Sequence, residues 1–221
     1  MQRYAVLVAG GKGTRMESNL PKQYIKVNGK PILVHTIEKF LKADREIKLV
    51  LVLPTDSIDY WETIKAEFCR DIDIVVVSGG LSRFQSVKNG LDSIGENEAI
   101  VAIHDAVRPC IPTEIILESF VKAETEGSAV VAVSLKESLR KISHGNSVAC
   151  DRNQYKLIQT PQTFDIKLLR NAFEQTESVK FTDDATVVES AGYTITLIDG
   201  SYENIKVTTP EDLRVASIYL K

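Results

Sequence analysis

Short runs that are apolar at successive positions alternate along this chain with segments whose apolar residues recur at every third or fourth place. The runs "YAVLVA", "KLVLVLP", "IDIVVVSGG" and "AIVAIHDA" are rich in β-branched residues and carry no polar face, so they predict strands buried on both sides. Between them, "PILVHTIEKFLKA", "SIDYWETIKAEFC" and "RFQSVKNGLDSI" have a helical period. In the first of these, Ile32, Leu33, Ile37, Phe40 and Leu41 share one stripe, and Pro31 suits a first helical turn, where a missing N–H is no loss. Strands apolar on both faces need helices on both faces, so the alternation predicts a mostly parallel sheet built from βαβ units. Ligands of such sheets gather at the carboxyl ends of the strands.

After the helix "TEIILESFVKAETEG" and the strand "SAVVAVSL" the regularity breaks. The next stretch, "KESLRKISHGNSVACDRNQYKLIQTPQTF", is polar, contains a Gly-Asn turn and lacks a helical period, which predicts an inserted β-hairpin arm over residues 136–160. The pattern then recovers with the helix "IKLLRNAFEQT", the segment "FTDDATVVESAG", the strands "YTITLIDG" and "NIKVT", and a closing helix from Pro210. No repeat or low-complexity linker interrupts residues 1–221, so a single α/β domain with a Rossmann-like, mostly parallel sheet flanked by helices is expected, with the arm inserted in it.

Charge excludes some partners. Lys+Arg 27 against Asp+Glu 30 leaves a formal net charge of -3, so no global positive field draws in nucleic acid or acidic lipid, and any anion site must be a local cluster. The longest apolar runs fall far short of the roughly 20 residues that span a bilayer, and no signal-peptide pattern precedes "YAVLVAGG", so a soluble, cytoplasmic protein is expected, with no membrane partner. Cys69, Cys110 and Cys150 are odd in number and form no CxxC pair, which suits reduced thiols.

The segment "VAGGKGTRMESNLPK" follows the first strand. It is not a Walker A loop, because Lys12 precedes Gly13 where Ser or Thr should stand, and it is not the dinucleotide fingerprint, because Met16 takes the third glycine position. A glycine turn with backbone N–H groups free to face an anion, followed by Arg15 and Lys22, suits a triphosphate, although a plain solvated loop has the same residues.

This segment, read as "AGGKGTRM…LPKQ", resembles the signature of the sugar-nucleotide cytidylyltransferases and their relatives. With "HDAVRPC", "DRNQYKLIQTPQTF", "TDDA" and "ENIKVTTPEDL" in the same order, the chain resembles the 2-C-methyl-D-erythritol 4-phosphate cytidylyltransferase family over nearly its whole length. The resemblance implies that CTP and methylerythritol phosphate combine to give the cytidine diphosphate derivative and pyrophosphate. It implies that Arg15, Lys22 and Lys206 serve the reacting phosphates, and that Ala9, Gly10, Gly11 and Gly13 give backbone contacts. Magnesium would be carried mainly by the CTP phosphates, with no dedicated protein metal site. By the same resemblance Gly79, Gly80 and Ser86 lie against cytosine and Ala106 near the ribose, while Asp105, Arg108, Arg152, Thr160 and Thr182 place the sugar phosphate. A homodimer is implied, in which the arm carries Arg152 and Ser138 to the partner's site.

An anionic phosphate nucleophile needs no general base, so His104 is expected to be structural, and Cys110 a small buried filler. Arg83 is left open between phosphate ligand and ion-pair partner. Two departures from the family pattern stand out: Glu137-Ser138 where relatives have Asp-Thr, and "VAGG" where many have "PAAG", a variant shared with ribitol 5-phosphate cytidylyltransferases. Ribitol 5-phosphate is therefore the alternative substrate. A non-catalytic nucleotide sensor is the alternative outside enzymology, opposed by the retained Arg15, Lys22, Arg152 and Lys206.

Overall fold

The computed structural model describes residues 1–9, 20–143 and 145–221. In chain order the elements are β1 (Gln2–Val8), β2 (Lys26–Val27), β3 (Lys30–Pro31), α1 (Ile32–Ala43), β4 (Lys48–Leu53), α2 (Ile58–Phe68), β5 (Ile74–Ser78), α3 (Arg83–Asp92), β6 (Ala99–Asp105), α4 (Thr113–Glu126) and β7 (Ser128–Ser134). There follow β8 (Leu139–Ser143), β9 (Asn146–Cys150), β10 (Lys156–Asp165), α5 (Ile166–Phe173), α6 (Asp184–Ser190), β11 (Leu197–Asp199) and α7 (Pro210–Tyr219). The main sheet has seven strands in the order β11-β7-β10-β6-β1-β4-β5. Every pairing in it is parallel except those of β10, which runs antiparallel to both β6 and β7.

The two-sided strands are explained by two cores. Ala5 and Leu7 of β1, with Leu49 and Leu51 of β4, pack under α1, α2 and α4, where Leu33, Ile37, Phe40, Trp61 and Phe120 are buried. The alternate residues Tyr4, Val6, Val8, Val50 and Val52 face α3, α5 and α6. The helix ends are those the sequence supplies: the Ser82 hydroxyl accepts from the Gln85 N–H at 3.1 Å, Gly127 closes α4 at φ 79°, and Thr209 and Asp212 cap α7 reciprocally with Pro210 at its start. Among the described residues no helix is long and apolar enough to cross a membrane.

Two expectations need correction. The hairpin of β8 and β9 covers only Leu139–Cys150, whereas Lys156–Thr160 of the expected 136–160 arm belong to β10 inside the main sheet. The polar residues that hid this strand are buried with partners: Thr163 Oγ1 donates to Ser119 Oγ at 2.9 Å, and Gln162 donates to Asp183 and accepts from the Ala185 N–H. The segment "NIKVT" is no strand. Its backbone goes instead to single contacts, Val207 N–H to the Val107 carbonyl and Thr208 N–H to the Asp212 carboxylate.

Helix α3 lies close on the sheet because Gly90 lacks a side chain: a Cβ there would meet Val6 Cγ1 at 2.7 Å and Val52 Cγ2 at 3.0 Å. Gly90→Ala gains about 1 kcal/mol of helix propensity and meets overpacking worth about 1–3 kcal/mol, so a net loss of about 1 kcal/mol in urea denaturation is expected. Gly95→Ala, with nothing within 4 Å of its Cβ, serves as the neutral control. Equal stability of the two variants would show that α3 does not depend on this approach.

Candidate active site

From β1 the chain builds β4 and β5 on one side and then crosses back to β6 on the other, so the strand order reverses at β1 and a crevice opens beyond its carboxyl end. A cavity of about 310 Å³ occupies that crevice. Val8 and Ala9 at the end of β1, Asp105 and Val107 at the end of β6, and Gly80 to Ser86 after β5 form its walls, with Lys22, Gln23 and Lys206 from loops.

Each wall is fixed by the backbone. Ala9 N–H donates to the Val52 carbonyl at 2.9 Å, Ala106 N–H to Val8 at 3.1 Å, and Gly79 N–H to Leu53 at 2.7 Å. The turn after β5 is drawn onto α3 by Ser86, whose hydroxyl accepts from the Gly80 N–H at 3.1 Å and donates to the Ser82 carbonyl at 2.7 Å. Gly80 is required there: a Cβ would stand 2.3 Å from that of Gln85.

Asp105 is the one carboxylate among the described lining residues. Its Oδ2 lies 2.9 Å from Lys206 Nζ and 3.5 Å from Arg108 Nε, and its Oδ1 lies 3.9 Å from Arg83 Nε. Burial alone would raise its pKa, but Lys206, Arg83 and Arg108 outweigh burial and hold the carboxyl well below the usual carboxylate range. Arg83 also donates through both terminal nitrogens to the buried Asp184, at 2.7 and 2.6 Å. Burial disfavours its charge, yet the facing Asp184 together with Asp105 raises its pKa, so it is a permanent cation. Arg83, Arg108 and Lys206 converge on Asp105, and Lys22 lines the same cavity. A chain of net charge -3 thus gathers several cations at one place.

Behind Asp105 runs a continuous relay. The Asp105 N–H donates to Thr160 Oγ1 at 3.1 Å, Thr160 Oγ1 lies 3.1 Å from His104 Nδ1, and His104 Nε2 lies 3.2 Å from the Arg108 carbonyl. A carbonyl can only accept, so Nε2 carries the proton and Nδ1 accepts from Thr160. His104 is fully buried, and burial, only partly opposed by Asp105, lowers its pKa to about 4. It is a neutral strut.

The residues anticipated from sequence are therefore divided. Ala9, Lys22, Gly80, Ser86, Asp105 and Lys206 line the cavity. Gly79 precedes it in the turn, and Ala106 is fully buried, with its N–H given to Val8 and its carbonyl to Thr36. Arg108 lies behind Asp105 and donates to the Asn204 carbonyl at 2.8 Å. Thr160 holds Asp105 from the core side. Thr182 is exposed, 3.3 Å from Thr186 Oγ1, outside the lining. Ser138 and Arg152 are exposed at the root of the hairpin, where Arg152 donates to the Lys136 carbonyl at 2.5 Å, and neither lines the cavity. Gly10, Gly11, Gly13 and Arg15 lie outside the described residues. Arg83, left open by sequence, is an ion-pair partner that also lines the cavity. Gln23 went unnoticed, although it directly follows Lys22. Cys110 is buried and its thiol is pushed up to about 11 by burial, unsuited to nucleophilic work.

The His104 pKa has a measurable consequence. Because the folded value of about 4 lies below the ordinary 6.5, its stabilising contribution is complete above pH 6.5 and is lost as pH falls toward 4. Between pH 7 and pH 5 the loss amounts to about 2 kcal/mol, to be read as the difference in urea-unfolding free energy that His104→Gln no longer shows. An identical pH slope in wild type and variant would place the proton uptake elsewhere.

The family profile described as "IspD: 2-C-methyl-D-erythritol 4-phosphate cytidylyltransferase" matches residues 4–221. The 2-C-methyl-D-erythritol 4-phosphate cytidylyltransferase of Bacteroides fragilis is 44% identical over 220 residues, covering 100% of both chains, and that of Bacteroides thetaiotaomicron is 42% identical with the same coverage. The crystal structure of 4-diphosphocytidyl-2C-methyl-D-erythritol synthase from Anaerococcus prevotii superposes with a TM-score of 0.85 at 29% identity, over 98% of this chain and 95% of that one. The chain belongs to the 2-C-methyl-D-erythritol 4-phosphate cytidylyltransferase family.

Proposed function

We propose that this cavity is where the chain transfers CMP from CTP to 2-C-methyl-D-erythritol 4-phosphate, releasing pyrophosphate. The observation that carries the reading is the cation-ringed Asp105, set at the switch point opposite the Gly80–Ser86 turn. A phosphate oxygen of the acceptor attacks the α-phosphorus of CTP, the new P–O bond forms as the bond to the β-phosphate bridging oxygen breaks, and pyrophosphate departs with that electron pair. The second pKa of a phosphomonoester is about 6, so the nucleophile is already ionised and the barrier is the meeting of anions. Lys22, together with Arg15, neutralises the triphosphate, and Lys206, anchored 2.9 Å from Asp105, meets the reacting phosphates. Asp105, held ionised, accepts hydroxyl hydrogens from the substrates and does not act as a base. Gly80 and Ser86 offer a narrow edge for cytosine.

The family uses a divalent metal. Among the described residues no group of three or more His, Cys, Asp or Glu side chains could hold one, and Asp105 is already engaged by cations, so magnesium fits as an ion carried by the triphosphate oxygens. It would neutralise phosphate charge. The cytoplasm is the natural setting for three unpaired cysteines.

The sugar-phosphate side is completed by a second copy. The β8–β9 hairpin is solvent-exposed in one chain, with Ile142 70% and Val148 65% exposed, and an isolated two-stranded hairpin is marginal without a surface to lie on. A symmetric partner supplies that surface and receives Arg152 and Ser138 into its site.

Pyrophosphate release from CTP with magnesium should occur with methylerythritol phosphate; release with ribitol 5-phosphate alone would transfer the reading to that substrate, and none with either would favour a sensor. Mixing tests the shared site. Lys22→Ala and Arg152→Ala dimers should each be nearly inactive, and since random exchange makes half the dimers mixed, each with one intact site, activity should return to about one quarter of wild type. Demonstrated exchange without recovery would mean that Arg152 serves its own chain.

A further inference from the structure

Gln23 is 1% exposed, lines the cavity, and has no hydrogen-bond partner for either Oε1 or Nε2 among the described residues. Leaving both ends of a buried amide unsatisfied is costly, and native proteins do so rarely. Nor is the side chain adrift. It sits in the 3-10 turn Lys22–Tyr24, which the next residue pins: Tyr24 is buried, donates its hydroxyl to the Ser57 carbonyl at 3.0 Å, and packs edge-on against Tyr60 with centroids 4.8 Å apart. The turn also closes through Tyr24 N–H to Pro21 and Ile25 N–H to Lys22. Gln23 is thus fixed in the lining of the cavity next to Lys22, its amide buried just behind the surface.

We infer that Gln23 is a substrate-binding residue, its Nε2 donating to a phosphate oxygen of the nucleotide while Oε1 accepts a hydrogen from a hydroxyl or water that enters with the ligand. The inference rests on the reading of this cavity as the nucleotide site. Its chemistry follows from the inventory: phosphate oxygens only accept, the cationic side chains Lys22, Arg83 and Lys206 in the same lining favour an anion, and an uncharged amide adds direction without adding charge.

Two substitutions separate binding from architecture. In Gln23→Met the chain volume is kept and the unsatisfied amide removed, so the melting temperature of the ligand-free protein should hold or rise, while calorimetry with magnesium and CTP should show about tenfold weaker binding or worse. Gln23→Glu keeps the acceptor, loses the donor and adds a negative charge, and should bind CTP more weakly still. Inorganic pyrophosphate serves as the second probe: its affinity should fall in parallel, and a loss confined to CTP would overturn the phosphate assignment. Unchanged CTP affinity in Gln23→Met, or a fall in its melting temperature with affinity intact, would overturn the inference. Lys22→Ala distinguishes the failures: if it weakens CTP and Gln23→Met does not, only Gln23 is misassigned, whereas if neither does, the cavity is not the nucleotide site.

Discussion

A carboxylate at the buried end of a central strand stays ionised only if cations surround it, and Asp105, 8% exposed, gathers its cations from three parts of the chain. Arg108 comes from the turn just after β6, Arg83 from the first turn of α3, and Lys206 from the segment before α7. One charge therefore ties the end of β6 to α3 and to the C-terminal segment. Arg83 extends the tie to α6 through Asp184, whose own burial would be expensive without that bidentate pairing.

The groups of the site divide into those that face the cavity and those that hold them. Thr160 and His104 support Asp105 from within the core and never reach the lining. Because their hydrogen bonds are complete before any ligand arrives, the charges they support need not reorganise when a reacting anion does, and preorganised charge is the largest lever on a phosphoryl-type transfer. A hydroxyl named by motif as a substrate contact can thus be one step removed, fixing the residue that makes the contact.

Much of the fold was legible because burial on both faces leaves a plain mark. Every residue of "AIVAIHDA" is buried, and the strands β1, β4, β5, β6 and β7 stand where apolar runs predict them, although β5, expected to be covered on both faces, lies at the sheet edge with Val75 48% exposed. Strand β10 was not legible. Its sequence "KLIQTPQTFD" is half polar, and Gln162, Thr163 and Thr160 enter the core only because Asp183, Ala185, Ser119, His104 and Asp105 are waiting with complementary groups. Hydrophobic periodicity records the solvent side of a residue, and says nothing of partners far away in sequence. "NIKVT" fails for the converse reason: its alternation is that of a strand, but it has no ladder to join, and Lys206 gains its place from Asp105. For the site, Lys22, Gly80, Ser86, Asp105 and Lys206 were legible as motif positions that converge on one cavity, whereas the pairing of Arg83 with Asp184, 101 residues away, was invisible in one dimension.

The same reasoning accounts for what remains unsatisfied. Around Asp105 and Asp184 the charges are paired, at the cost of fixing side chains from several elements, yet Arg108 Nε and Asn204 Oδ1 are buried without a hydrogen-bond partner. The wall made by Lys22 and Gln23 adds to these an amide with neither end hydrogen-bonded among the described residues, on a turn pinned by Tyr24. Buried polar groups without partners are rare in folded proteins, so their presence around one cavity marks hydrogen bonds that the fold leaves for a ligand to complete. If the cavity holds the nucleotide as proposed, the ligand completes those hydrogen bonds, and the gain on binding then falls on the phosphates, where bonds are made and broken.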